Sequence, residues 1–335
     1  MVLTGALARI AVARAHVVVV EQPGCLDLRL AADRAVRERG WVPADSPADG
    51  DVLLVCGGPV AATEDAVAAV WDALPGPRVR CEVTHEGQLA EALERAGDRL
   101  RDTAAHRTDP HGRRAGEPEP DHGDMDHGDM DHGDMDHGDM DHGDMDHGDM
   151  DHGDMEMAPG GIPLAEGADD RDGLEMDVLR LPLGPVLPHW PSGLVLHCTL
   201  HGDVVMQATV EDLGVGSGRP ASPATVAARH SDLVVDLLAL AGWGSGADLA
   251  RRARDAALDG DTTTAERLLV RLRTRTRRSR VLRWMLRGLG TLDPADVDPT
   301  AGRRLPDHLV GDVHQRLLAL VDRAVAAVRG ELVAV

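Results

Sequence analysis

The sequence predicts an α/β three-layer domain built on a parallel sheet, a disordered acidic linker, and an α+β domain in which a β-hairpin precedes helices. Three observations carry this expectation. Short β-branched runs near the N-terminus alternate with segments of helical period, the pattern of parallel strands covered on both faces. Seven perfect copies of Asp-His-Gly-Asp-Met then fill residues 121–155. Beyond them, apolar runs meet at a Gly-Asp turn before the period becomes helical for the rest of the chain. The expected boundaries are 1–106, 107–173 and 174–335.

In the front domain, His16 to Val20 (HVVVV) is too short for a helix and is closed by Pro23-Gly24, so it reads as a buried strand. Leu26, Leu30, Ala31 and Val36 recur at helical spacing over 26–39, with Asp27 in the first turn and Gly40 as the stop. Residues 51–56 (DVLLVC) form a second buried strand, ended by Gly57-Gly58-Pro59. A helix over 62–74 stops at Pro75-Gly76-Pro77, a third strand covers 78–83, and a third helix covers 86–104. Parallel strands joined this way imply right-handed crossovers.

In the middle, two Asp and a Gly in every five residues oppose both helix and strand, and repulsion among the Asp favours an open chain. GEPEP precedes the repeats and EMAPGGIP follows them. In the rear domain, strands are expected at 178–181, 193–201 and 204–210, the last two joined at His201-Gly202-Asp203. Helices are expected over 224–241, 246–258, 263–288 and 308–330, with breaks at Gly242-Trp243-Gly244, Asp259-Gly260-Asp261 and 294–306.

The net charge of −22 over 335 residues belongs to the linker. Residues 1–106 hold 16 acids and 11 Arg, 107–173 hold 22 acids and 4 Arg, and 174–335 hold 19 acids and 20 Arg. Both ends are therefore near-neutral and can fold as ordinary globules. No apolar run approaches the roughly 18 to 20 residues that cross a bilayer, and the N-terminus has no signal-peptide core. A cytoplasmic protein without a transmembrane segment is expected. The four Cys, at 25, 56, 81 and 198, contain no close pair and so make neither a disulfide framework nor a zinc ribbon. With no Phe or Tyr and five scattered Trp, a nucleic-acid stacking platform is not expected. No GxGxxG, Walker loop, nucleophile elbow or HExxH occurs, so neither a nucleotide cofactor nor hydrolase chemistry is indicated.

The repeats carry the densest donor chemistry. Their candidate metal ligands are His122, Met125, His127, Met130, His132, Met135, His137, Met140, His142, Met145, His147, Met150, His152 and Met155. Imidazole with thioether suits copper, and imidazole with carboxylate suits nickel or zinc. Ordering an open chain costs about 1 to 2 kcal/mol per residue, so buffering by avidity fits better than one fixed site. Tandem-repeat slippage also produces identical units, and a solvated acidic spacer needs no ligand.

Cys25 follows the first strand at Pro23-Gly24-Cys25, the carboxyl edge of a parallel sheet, where open α/β proteins place ligands. It is the candidate cofactor-binding residue. Cys56 ends the second strand and Cys81 lies inside the third, and both read as small buried hydrophobes. His197 and His201 can share one strand face, with Cys198 on the other, so surface histidines are the plainer reading of that cluster. Arg271, Arg273, Arg275, Arg277, Arg278, Arg280, Arg283 and Arg287 form an acid-free run. A nucleic-acid or anionic-lipid patch is the sharper reading; a solvated helix face, or docking of the acidic repeats, is the plainer one.

The segments VVVVEQPGC, DVLLVCGGPV and VWDALPGPRV, over about 16–84, resemble the cluster-bearing small subunit shared by respiratory complex I and nickel-iron hydrogenases. The segment LPLGPVLPHWPSGLVLHCTLHGDVV, within about 179–212, resembles the start of their partner, the quinone-site or large hydrogenase subunit. The resemblance places Cys25 at the first cluster ligand. It departs where Leu26 and Leu28 replace the adjacent Cys, where no further ligand follows Cys81, and where no Cys-x-x-Cys pair occurs. Ser192 and Leu187 stand at the expected His positions, and His189 is out of register. A four-iron cluster needs about four thiolates, so an intact one is not expected within this chain alone.

What the resemblance implies is a fusion of two subunit-like domains, packed as the parent subunits pack. The expected function is a non-catalytic accessory, assembly or interaction factor with a metal-handling linker, peripheral to a membrane complex and partnered by respiratory or hydrogenase subunits. Two other readings stay open. One is an oxidoreductase electron-transfer subunit of NADH-quinone or hydrogenase type, sharing an iron-sulfur or quinone site with partner chains. The other is a copper or nickel buffer.

Overall fold

The apolar runs β1 (His16–Glu21), β3 (Val52–Cys56) and β4 (Val79–Val83), with the short β2 (Val42–Pro43), form a four-stranded sheet of order β2-β1-β3-β4. Every pairing is parallel. The computed structural model describes residues 12–102, 106, 166–169, 175–213, 223–292 and 310–331. Helices α1 (Leu26–Glu38), α2 (Ala61–Ala73) and α3 (Leu89–Arg101) follow β1, β3 and β4. Ala32 and Val36 of α1 and Leu93 and Ala96 of α3 pack on Val17 and Leu54. Val67 of α2 packs on Val20, Leu53 and Val55 from the opposite face. With both faces covered, all five residues of β3 are buried, which is why this strand is apolar throughout and does not alternate.

The expected front elements are present, with two differences. β2 has only two residues, one of them Pro43, so it offers no apolar run to read. The third helix begins as a separate 3₁₀ turn, Glu86–Gln88, where the Gln88 side chain accepts hydrogen bonds from the Thr84 backbone and hydroxyl.

The rear half opens with an antiparallel sheet of β5 (Glu166–Asp169), β6 (Glu175–Leu183), β7 (Leu194–His201) and β8 (Val204–Asp212), in that order. The turn between β7 and β8 is the expected one: His201 pairs with Val204 around Gly202-Asp203, and Gly202 takes φ 59°. β5 lies in a stretch whose sequence reads as linker. Glu-Gly-Ala-Asp has no strand propensity, and pairing with β6 supplies the structure. The remainder of that linker, including the repeat residues His122 to Met155, lies outside the described residues.

Among the described residues five helices follow: α4 (Pro223–Leu240), α5 (Gly244–Leu258), α6 (Thr262–Arg278), α7 (Arg280–Leu286) and α8 (Val313–Val328). The helix expected over 263–288 is broken at Ser279, whose ψ of 107° leaves the helical region. Its hydroxyl accepts from the Leu282 N–H and so caps α7. α8 starts later than periodicity suggests because Asp312 and Gln315 form a reciprocal capping box. Leu238, Leu269, Leu272 and Leu317 centre the core of this bundle. Among the described residues no helix is long and apolar enough to cross a membrane.

The two halves meet through α1. Leu30 is fully buried in a socket of Ala227, Ala228, Ala257, Ala265 and Ala327, drawn from four helices of the rear half. Small side chains let these helices approach α1 closely, and the one large side chain fills the space between them.

Candidate functional site

In the order β2-β1-β3-β4 the chain leaves β1 in one direction to form β2 and crosses back to form β3. The carboxyl ends of β1 and β3 therefore flank a topological switch point, where a crevice opens in sheets of this kind. Gly24, at φ 81°, turns the chain out of β1, and Cys25 sits at the N-cap of α1. Gly57, at φ 123°, turns it out of β3; a Cβ there would lie 2.6 Å from the Gln22 Cβ and 2.7 Å from the Cys25 Sγ. Buried Gln22 spans the crevice, its Oε1 accepting from the Thr63 hydroxyl at 2.5 Å.

The rear half caps this crevice. Ser192 donates its hydroxyl to the Glu21 carbonyl at 2.9 Å, and Gly193, at φ 77°, rests on the Pro23 ring. Trp190 holds the connection between β6 and β7 closed by donating its indole N–H to the Leu194 carbonyl at 2.7 Å. That closure leaves no room for a side chain at residue 184, since a Cβ on Gly184 would lie 2.3 Å from the same carbonyl.

Below the cap, charges interlock across the seam. Arg29, Asp33 and Arg37 form an i, i+4, i+8 stripe on α1. Arg29 bonds Glu21 at 3.0 Å and, from α4, Asp232. Arg254 of α5, 1% exposed, donates to Asp232 at 2.6 Å and to Asp33 at 2.5 Å. Arg37 reaches Asp255 at 2.9 Å, and Arg34–Asp259 and Arg229–Asp27 close the rim. Burial alone would raise the Asp33 carboxyl, but Arg254, Arg37 and Arg29 outweigh it and hold it below the usual carboxylate range. Glu21 goes the other way: burial raises it, the Arg29 charge only partly offsets that, and Asp232 and Asp236 add to it.

A cavity of about 370 Å³ opens beside this network. Its walls come from β1, residues 43–47, α2, the turn 185–190 and α4, and the network itself contributes Glu21, Arg29, Asp33, Asp232 and Arg254 to the lining. β2 covers β1 only as far as Val17, so the rest of that edge of β1 borders the cavity. Most of the lining is aliphatic, Pro or Trp190. His189 enters it in the left-handed region at φ 59°, a conformation that a residue other than Gly holds only when its surroundings over-determine it. Its Nδ1 bonds Asp236 Oδ1 at 2.9 Å, leaving Nε2 without a protein partner among the described residues. A ring nitrogen oriented by a carboxylate can hydrogen-bond a carbonyl or hydroxyl oxygen of a small molecule and exchange a proton with it.

Of the residues singled out from sequence, Cys25 follows β1 at the carboxyl edge of the sheet. It is half-buried, and desolvation, with the Glu21 charge, raises its thiol. Buried Cys56 is pushed up to about 12 by desolvation. Cys81 donates to the Ala92 carbonyl at 3.7 Å on the α3 side, and Cys198 is buried in the rear sheet. Thiols so placed do not converge on one cluster, and those raised by burial are poor metal ligands. His197 is exposed and bonds Glu211 at 2.7 Å, on the face opposite buried Cys198. Among the described residues no group of three or more His, Cys, Asp or Glu could hold a metal ion.

Sequence reading missed Glu21, Arg29, Asp33, Asp232, Asp236 and Arg254. One signal was available: Arg254 sits on the face defined by Ala250, Ala253 and Ala257, where an isolated charge implies a partner from another element.

No family model, no curated protein and no solved structure matches this chain.

Proposed function

We propose that this chain is a complex I and hydrogenase-related accessory or interaction protein whose seam binds a small ring-bearing oxygen ligand of quinone type. The observation that carries this is His189, oriented by Asp236 into a largely apolar cavity along the edge of β1 that β2 leaves uncovered, at the seam between the halves. A site of this size and lining suits a planar apolar ring, and one oriented imidazole fixes where the ring oxygen lies. Asp236 accepts from Nδ1, so Nε2 accepts from a hydroxyl when the ring is neutral and donates to a carbonyl when it is protonated. The chain's four thiols do not converge, so electron transfer would use a centre supplied by a partner chain.

The test is titration of the full chain with a short-chain benzoquinone, followed by quenching of the Trp190 fluorescence. Saturable quenching is expected, with affinity about tenfold lower in His189→Ala, the value of one good hydrogen bond. Equal affinity of the two proteins overturns the ligand reading. Failure to co-purify respiratory or hydrogenase subunits from native extract overturns the accessory reading.

The donor content of the repeats supports a second role. Seven His and seven Met in tandem repeats suit weak, multivalent capture of copper or nickel. Titration of the full chain and of a deletion of 121–155 with Cu(I) and Ni(II) decides it: identical binding isotherms remove the role.

A further inference from the structure

The end of α6 and the whole of α7 carry a surface that the seam does not use. Over 267–292 the chain has nine Arg and no Asp or Glu. α7 turns Leu282 and Leu286 into the helical core, and at 100° per residue Trp284 falls on the opposite side. Trp284 is 81% exposed, Val281 66%, Leu289 53% and Met285 43%. The other four Trp are buried or half-buried. One helical turn from Trp284 stand Arg280, Val281 and Arg287.

The neighbouring charges divide into two groups. Arg273 and Arg277 are occupied by Asp322, Arg275 lies over the Trp243 ring, and Arg283 donates to the Arg277 carbonyl. Arg278, Arg280 and Arg287 are exposed and have no carboxylate partner among the described residues. An apolar knob with its Trp outermost, ringed by cations, is costly to leave in water.

We infer that this face seats the protein on an anionic lipid bilayer. Trp284, Val281 and Met285 enter the boundary between headgroups and acyl chains, where an indole is favoured, and Arg278, Arg280 and Arg287 reach lipid phosphates. Charge sign selects the partner: the unpaired groups are all guanidiniums, which bind phosphate in a bidentate fork while their stems lie along apolar surface. Nucleic acid fits less well, because one aromatic among aliphatics gives bases no stacking surface and leaves Val281 and Met285 in water.

The full chain is sedimented with vesicles of phosphatidylcholine alone and of equal parts phosphatidylcholine and phosphatidylglycerol, and Trp emission is recorded. Binding to the anionic vesicles is expected, with a blue shift and loss at high salt. Trp284→Ala and the double variant Arg280→Glu/Arg287→Glu each weaken binding by at least about tenfold, with circular dichroism unchanged because these side chains are exposed. The inference is overturned by absence of binding to anionic vesicles, by equal binding to neutral ones, or by variants that bind like the parent. Tight binding of single-stranded RNA without vesicle binding overturns it in favour of the nucleic-acid reading.

Discussion

The Arg254 guanidinium donates to the Asp33 carboxylate at 2.5 Å, joining two residues 221 positions apart across the seam between the halves of the chain. The same guanidinium bonds Asp232 and, through Nε, Asp255. Arg254 thus reaches three carboxylates in an environment that exposes 1% of its side chain. A charge so buried is tolerated only because its donors are met. Asp232 and Asp255 belong to the rear half and Asp33 to α1 of the front half, so the Asp33 pairing is the one that forms only when the halves are docked.

Removing one partner should therefore cost more than removing both. Arg254→Ala is expected to lose about 3–5 kcal/mol, because Asp33 and Asp232 remain buried with only Arg37 and Arg29 to offset them. Arg254→Met combined with Asp33→Leu should recover much of that loss, since Asp232 keeps Arg29 and Arg37 keeps Asp255. Urea unfolding across the mutant cycle checks this, and additive losses would contradict it.

The network also sets the acid limb of stability. The Asp33 carboxyl is lowered from 3.8 in the folded chain, so its contribution is present above that value and is lost as pH falls through the lower folded value. Glu21 is raised from 4.5. It favours the folded state below that value, and the effect fades as pH rises through the folded one. Melting temperature against pH should show a flatter acid limb in Asp33→Asn, whereas Glu21→Gln should relieve the loss on the alkaline side of its titration.

Leu30 is the apolar counterpart of Arg254. Leu30→Ala leaves a void in the alanine socket and is expected to cost about 2–5 kcal/mol, whereas Leu30→Met should cost less than about 1.5 kcal/mol. Unfolding of Leu30→Ala should separate into two transitions, because the seam weakens while the core of each half is untouched. A single unshifted transition would show that the seam does not depend on this contact.

Gly57→Ala tests the switch point. The new methyl meets both the Gln22 Cβ and the Cys25 Sγ at a backbone angle that L residues rarely adopt. A loss of about 1–3 kcal/mol is expected, together with faster alkylation of Cys25 as the loop is displaced. Gly58→Ala, with nothing within 4 Å of its Cβ, should leave both measurements unchanged.

Much of the framework was legible because each signal was local. HVVVV and DVLLVC, bounded by Gly and Pro, read as strands covered on both faces, and Gly202-Asp203 read as a hairpin turn. Where a feature depended on distant partners, the reading stopped short. β5 exists through pairing with β6. The break at Ser279 interrupts a periodic pattern that continues through it. Arg29, Asp33 and Arg37 look like an ordinary solvated stripe until α4 and α5 cover them.

By itself the sequence determined the order of the longer strands and of most helices, the segregation of acidity into the repeats, and the place of Cys25 at the carboxyl edge of the sheet. These follow from neighbour-to-neighbour sterics, periodicity and charge density, which act within a few residues. Only the tertiary structure decided that His189 meets Asp236 beside a cavity, that Arg254 bridges the halves, and that Trp284 is left in water. Each depends on which helix face another element covers, and burial of that kind is a property of the assembled chain.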